Sequence, residues 1–385
     1  MKKYLKIPFI QQVITTVLSI IFIIIGSVIC DYNAPVTTDE ELEHATVIDV
    51  ITEKTTPGIA GKDCTTVIFK AEVTTGEFEG KIYNMTQLLD EMSPPVPQRV
   101  EPGDDILVLY SEPENPSSLI SGWSFAGANN LTGVIWLVIG FLALILIIGR
   151  GKGISTIISL VLTVMAVFLV YIPSILLGHN IYVSTIVITL FVILSSLCIL
   201  NAWNKKTLCA VVGNAGGIFA SGILAYLINN AFHITGILDQ DYLFLTMLEG
   251  GVSINLPALI WGGILVGSLG AIMDVSMSIS SAMFELSEQM YEPSYKKLVI
   301  SGMNIGKDAI GTMTNTLILA YVGGSMATIL LFTAYTQDFT ILLNYEMLLV
   351  EIIQAIVGSI GILLAVPITV LFSARVFLKN KSKNA

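Results

Sequence analysis

Residues 263–285 read GILVGSLGAIMDVSMSISSAMFE, a run long and apolar enough to cross a bilayer that nevertheless carries an aspartate. Gly263, Gly267, Gly270, Asp274, Ser278, Ser281 and Glu285 follow one another at steps of 4, 3, 4, 4, 3 and 4, so on a helix they share one face. That face is small and polar; the rest is apolar. An ionisable residue inside a span costs roughly 2.5–3.5 kcal/mol on insertion scales, so it is expected to face a bundle interior or a water-filled cavity.

The rest of the chain agrees with a membrane bundle. Of 385 residues, 54% are hydrophobic and only 12% charged, against about 25% charged in soluble domains. Seven more apolar segments flank the first, at 13–30, 131–149, 153–176, 181–200, 207–231, 309–334 and 347–373. With 257–283 they predict an α-helical polytopic membrane protein of eight transmembrane helices. The segment at 13–30 follows Lys2, Lys3 and Lys6 and is long enough for an uncleaved anchor. Bulky Ile29 before Cys30 argues against a lipoprotein signal.

Between the first two spans the composition turns polar and acidic. HATVIDVITE, CTTVIFKAEVTTG, FEGKIYN and DDILVLYSE are β-branched runs bounded by turn residues, with bends expected at Gly76, Gly80 and Gly103. The organisation is therefore an anchor at 1–30, a small β-rich domain at 31–130, a seven-helix domain at 131–377 and a basic tail at 378–385.

Charge sets the orientation. With the N-terminus inside, Lys2, Lys3, Lys6, Arg150, Lys152, Lys205, Lys206, Lys296, Lys297, Lys307, Arg375, Lys379, Lys381 and Lys383 fall on the inner side. The other five basic residues (Lys54, Lys62, Lys70, Lys81, Arg99) lie in the β-rich domain, and long translocated domains escape the positive-inside rule. Both termini are thus expected in the cytoplasm, with 31–130 extracytoplasmic. The net charge of −10 carries no message about nucleic acid, and none is expected as a partner. Expected partners are the lipid bilayer, a small solute or ion, and a protein at the β-rich domain.

Enzymatic chemistry finds little support. Four cysteines and three histidines show no metal-ligand spacing, no HExxH and no GxxxxGK[ST] occurs, and Asp308 at a helix end is a poor second carboxylate for aspartyl proteolysis. No catalytic residue, cofactor or metal is expected. The polar residues within spans remain. Asp274 lies about ten residues from the inner end of its helix, roughly 15 Å deep at 1.5 Å per residue. Asn214, Thr312 and Asn315 enter at similar depth on other helices, so an ion or proton site of Asp274, Ser278, Asn214, Thr312 and Asn315 is expected. Gly263, Gly267, Gly270, Gly358 and Gly361 are expected to let helices pack closely.

SLGAIMDVSMSISSAMFEL, GKDAIGTMTNTLILAYVGGS and VPITVLFSARVF together resemble the YibE/F-like family of bacterial multipass membrane proteins. The resemblance implies a bacterial plasma-membrane location and a role in transport. The last three spans are also faintly similar to those of SecD, SecF and related proton-driven permeases, with Asp274 and Phe284-Glu285 in the matching places, which implies ion coupling. Two readings stand: an ion- or proton-coupled permease, or a non-transporting assembly or signalling protein whose outer β-rich domain binds a partner.

Overall fold

The structure is a computed structural model and describes residues 2–32, 42–57, 63–90, 98–111, 122–248, 253–291, 294–335 and 338–384. The chain divides into two units, Met1–Asn33 with Ile145–Ala385, and Ala34–Leu144.

The smaller unit holds a closed β-barrel. Its strands are β1 (Leu42–Pro57), β2 (Asp63–Val73), β3 (Ile82–Asp90), β4 (Asp105–Tyr110) and β5 (Trp123–Ala128), in the order β1-β2-β3-β5-β4. Alternation drives it: Val67, Phe69, Ala71 and Val73 on β2 all point inward and are fully buried, together with Ala45, Val47, Met85, Ile106 and Val108. β4 closes the barrel on β1, with Leu42 opposite Leu109, while β3 meets β5 in parallel at Thr86 and Ser124. Gly76 and Gly80 take φ of 75° and 77° in the turn before β3, and Gly103 takes 96° before β4, as turn chemistry demands. One inward polar residue, Gln87, donates to Gln98 O at 2.8 Å and accepts from Val100 N–H at 3.0 Å. β5, which carries the buried Trp123, is not among the expected strands.

The larger unit is helical. Its elements are α1 (Lys2–Ile29), α2 (Leu131–Ala166, beginning in the smaller unit), a π-helical turn (Val167–Tyr171), α3 (Ile172–Leu176), α4 (Ile181–Asn201) and α5 (Lys205–Ala231). They continue as α6 (Gln240–Thr246), α7 (Leu256–Gln289), α8 (Tyr295–Gly324), α9 (Met326–Tyr335), α10 (Phe339–Asn344) and α11 (Glu346–Asn384). Asn180, Asn204, Asn255 and Ser294 cap α4, α5, α7 and α8, each side chain accepting from the backbone N–H three residues on.

Six described helices are long and apolar enough to cross a membrane, or up to seven if α8 and α9 form one span bent by 62°. The sequence predicts eight, and the difference lies at 131–176, which runs on as one helical stretch. That stretch is not straight, because Arg150 adopts φ 48° and ψ −127°. A Cβ on Gly153 would lie 2.5 Å from the Ile145 carbonyl oxygen, whereas eight residues of straight helix span about 12 Å. The chain doubles back there. The segment expected at 309–334 also begins earlier, at Tyr295, and breaks at Ser325.

α5, α7 and α11 carry most of the helical core. A Cβ on Gly217 would lie 2.9 Å from Gly361 O and 3.0 Å from Ile272 Cγ2, so glycine alone admits the approach of α5 to α11 and α7. Trp261 Nε1 donates to Gly222 O at 2.7 Å and fixes the other end of the α5–α7 contact.

Candidate functional site

α7 has two opposite faces. Ile264, Leu265, Ser268, Ile272, Val275, Ser276, Ile279 and Met283 are buried against the rest of the bundle. Gly263, Gly267, Gly270, Asp274, Ser278 and Glu285 lie exposed on the other side. The expected buried aspartate is therefore corrected: Asp274 stands on the outward face of α7. The reason is physical, since the apolar stripe is the one that fills the α5–α11 groove, leaving its complement uncovered.

This geometry divides the expected packing glycines. A Cβ on Gly263 or Gly270 would meet nothing within 4 Å, so neither packs against another helix among the described residues. On Gly267 it would lie 2.7 Å from the Tyr321 hydroxyl of α8. Gly358 and Gly361 of α11 do pack closely, the first against Leu317 and Ser268, the second against Ser221 and Ile272.

The expected polar residues divide as well. α8 runs antiparallel to α7, with Tyr321 at Gly267, Gly306 near Ile279 and Gly302 against Met283. Interpolating between these contacts sets Thr312 level with Asp274 and Asn315 within a turn of it. Both are exposed, as are Gly311 and Thr316. The Thr312 hydroxyl donates to Ala309 O at 3.1 Å, on its own helix. Among the described residues, Asp274 makes no hydrogen bond or ion pair. Asp274 and Ser278 on α7 and Thr312 and Asn315 on α8 are thus exposed at neighbouring levels of the two helices.

Asn214 does not join them. It is 0% exposed, and among the described residues neither its amide nitrogen nor its oxygen has a partner. The neighbouring Gly213 and Gly217 face Thr369, Ala365 and Ile272, so Asn214 belongs to the interior of the α5–α7–α11 group, behind α7 from Asp274. Ser276, likewise 0% exposed and unpaired, occupies the same buried side of α7. The sequence carries no periodic signal that singles Ser276 out, because serines stand on both faces of α7.

At the α5 end of α7, Lys206 Nζ meets Glu285 Oε1 at 2.7 Å and lies 4.2 Å from the Phe284 ring centroid. Ser280 Oγ donates to Lys206 O at 2.8 Å. Glu285, the last residue of the outward stripe, is therefore a partner of α5.

A family model described as YibE/F-like protein matches residues 137–379, which take in the helical unit from α4 to most of α11 and leave out α1. The chain belongs to the YibE/F-like family. No curated protein and no solved structure matches it. In this YibE/F-like protein the matched residues contain Asp274 and its outward face, while the β-barrel precedes them. Family membership and the long apolar helices together make it a membrane protein.

Proposed function

We propose that this YibE/F-like protein is an ion- or proton-coupled permease of the bacterial plasma membrane that works through the Asp274 carboxylate. The observation that carries the reading is a carboxylate near the middle of the 34-residue α7, more than two turns from the glutamates at its end, on a face of small and polar residues and level with Thr312. At such depth an ionised carboxylate requires water or a polar partner. Its protonation abolishes that requirement, so proton uptake and the hydration of the α7–α8 face are coupled. Thr312, Asn315 and Ser278 supply hydroxyl and carboxamide groups to whatever occupies the face.

In this reading the chain crosses the membrane eight times, with the reversal at Arg150 separating two spans and α8–α9 forming one bent span. The distribution of lysine and arginine supports cytoplasmic termini and an extracytoplasmic segment at 31–130. Proton flux into proteoliposomes, followed with a pH-sensitive dye, tests the mechanism. Asp274→Asn is expected to abolish flux, and Asp274→Glu to retain part of it. Flux unchanged in a well-folded Asp274→Asn protein would sink the reading.

A second reading draws on the barrel, which exposes Leu42, Ile48, Ile51, Ile82 and Leu88. Such side chains favour a protein partner and an assembly or signalling role. Removing residues 35–125 would then abolish function while Asp274→Asn is mild; the permease predicts the reverse.

A further inference from the structure

α11 carries a polar stripe before its glycines begin. Glu351, Gln354, Gly358 and Gly361 follow one another at steps of 3, 4 and 3, so they share one face. Gly358 meets Leu317 of α8 and Ser268 of α7, which aims that face between the two helices. We propose that Glu351 is the carboxylate through which protons enter from the outer side, and that the Tyr321 hydroxyl passes them on toward Asp274. The inference rests on the permease reading and adds a second acidic residue to its pathway.

The contacts set the phenol between the two carboxylates. α8 and α11 run in opposite directions, with Gly306 against Val366 and Leu317 against Gly358. One turn further along α8, Tyr321 is thus level with Gln354, and Glu351 lies about one turn beyond. The Glu351 carboxylate is within electrostatic reach of the Tyr321 phenol. That hydroxyl in turn stands 2.7 Å from where a Cβ of Gly267 would be, on the exposed stripe that carries Asp274. From Gly267 to Asp274 is two turns, about 10.5 Å at 1.5 Å per residue. Gly270 lies between them, and a Cβ there would meet nothing within 4 Å, so water has room beside α7.

The surroundings of Glu351 suit proton exchange. It is half-buried near the start of α11, about 7.5 Å along the helix. Among the described residues neither Glu351 nor Gln354 has a hydrogen-bond or ion-pair partner. Tyr321 faces it from α8 and Tyr242 from α6. Burial, then the Asp239 and Glu351 carboxylates, push the Tyr242 phenol up, so it stays a neutral donor. The outer half of α7, 256–270, contains no ionisable side chain, and Tyr226 of α5 packs against Tyr182 of α4 instead. Before Glu351 on its own helix, Glu346 is engaged by Thr235 and Gly236, and the Tyr345 ring lies against Phe332 of α9. None of these groups is a cation, so no ion pair competes with a proton for the carboxylate. A proton leaving the Glu351 carboxyl, carried by water, joins the Tyr321 oxygen as the phenol's own hydrogen leaves for the water beside Gly267. Tyr321 ends as it began.

Proton flux through the full chain in right-side-out membrane vesicles, whose bathing solution meets only the outer face, tests the assignment against vesicles lacking the protein. Glu351→Gln is expected to slow flux by about a hundredfold, the low end of what a positioned proton-transfer group contributes, and to remove its dependence on the pH of the bathing solution. Glu351→Asp is expected to retain part of the flux and all of the pH dependence. Tyr321→Phe, which deletes only the hydroxyl and serves if Glu351→Gln does not fold, is expected to slow flux by a smaller factor. Tyr226→Phe is expected to leave it intact. Flux lost on Asp274→Asn but unchanged on Glu351→Gln and Tyr321→Phe overturns this inference and leaves the permease standing, whereas flux indifferent to Asp274→Asn sinks the permease reading itself. A loss at Tyr226→Phe as large as at Tyr321→Phe overturns the relay. Flux that requires sodium and ignores the outer pH makes Glu351 a sodium ligand and overturns the proton assignment.

Discussion

Gly217 and Gly361 face each other so closely that a methyl group on the first would lie 2.9 Å from the carbonyl oxygen of the second. Close backbone approach of this kind is how membrane helices associate when no hydrophobic gradient drives them together. α5 and α11 are thus joined at van der Waals contact, and α7 enters through Ile272 at the same level.

Gly217→Ala is accordingly expected to cost about 1–3 kcal/mol through overpacking, read as a lower melting temperature in detergent. Gly263→Ala and Gly270→Ala, at positions with open space around them, are expected to melt at or slightly above the unaltered protein, since alanine is the better helix former. A loss of stability at Gly263 would show that its face is covered by another chain.

Asn214 offers a test of opposite sign. Its amide is buried without a partner, a condition that costs about 1–3 kcal/mol. Asn214→Leu, apolar and of similar size, is expected to raise the melting temperature, and Asn214→Asp to lower it by introducing a charge. A drop on Asn214→Leu would reveal an ordered water or ion held by the amide.

Glu346 at the start of α11 accepts from Thr235 Oγ1 at 2.8 Å and from Gly236 N–H at 2.7 Å. Glu346→Ala removes both acceptors from the segment after α5. Hydrogen exchange at 232–239 is expected to speed up by about tenfold or more, the loss of roughly 1.5–3 kcal/mol of charge-assisted bonding. Unchanged exchange would mean the segment is held from elsewhere.

In the barrel, Trp123 is 1% exposed and its ring lies 5.2 to 5.8 Å from those of Phe78, Tyr83 and Tyr110. Trp123→Ala is expected to cost about 3–5 kcal/mol. Limited proteolysis should then cut within 34–144 well before the helices. The ion pair of Lys206 with Glu285 is more exposed, and Glu285→Gln is expected to cost less than about 1 kcal/mol.

The sequence was most informative where a pattern has only one physical realisation. Alternating β-branched runs could become little other than strands, and Gly76, Gly80 and Gly103 fall at positive φ as their turns require. The rise per residue puts Asp274 at roughly 15 Å and Thr312 at roughly 6–12 Å, whereas the α7–α8 contacts set the two level. Periodicity failed where direction mattered. A 3.6-residue repeat groups Asp274 with its glycines but does not say whether that stripe or its apolar complement meets the bundle. Asn214 was matched to Asp274 by depth alone, and two residues at one depth can stand on opposite sides of a helix. β5 lacks such a pattern: WSFAGA is short and four of its six residues are small, so its pairing with β4 and β3 is what makes it a strand.

The ion pair at Glu285 and the bond from Ser280 to the Lys206 carbonyl lock the first turn of α5 to the last turns of α7, and the glycines lock α5 to α11. α8 is anchored differently: Gly302 and Gly306 seat its first half, but from Lys307 to Gly324 Leu317 is its one buried side chain. Sparse burial goes with a low local opening free energy. α5, α7 and α11 therefore hold Asp274 on a closely packed scaffold, and the second half of α8, level with it, is much less tightly held by the rest of the described chain.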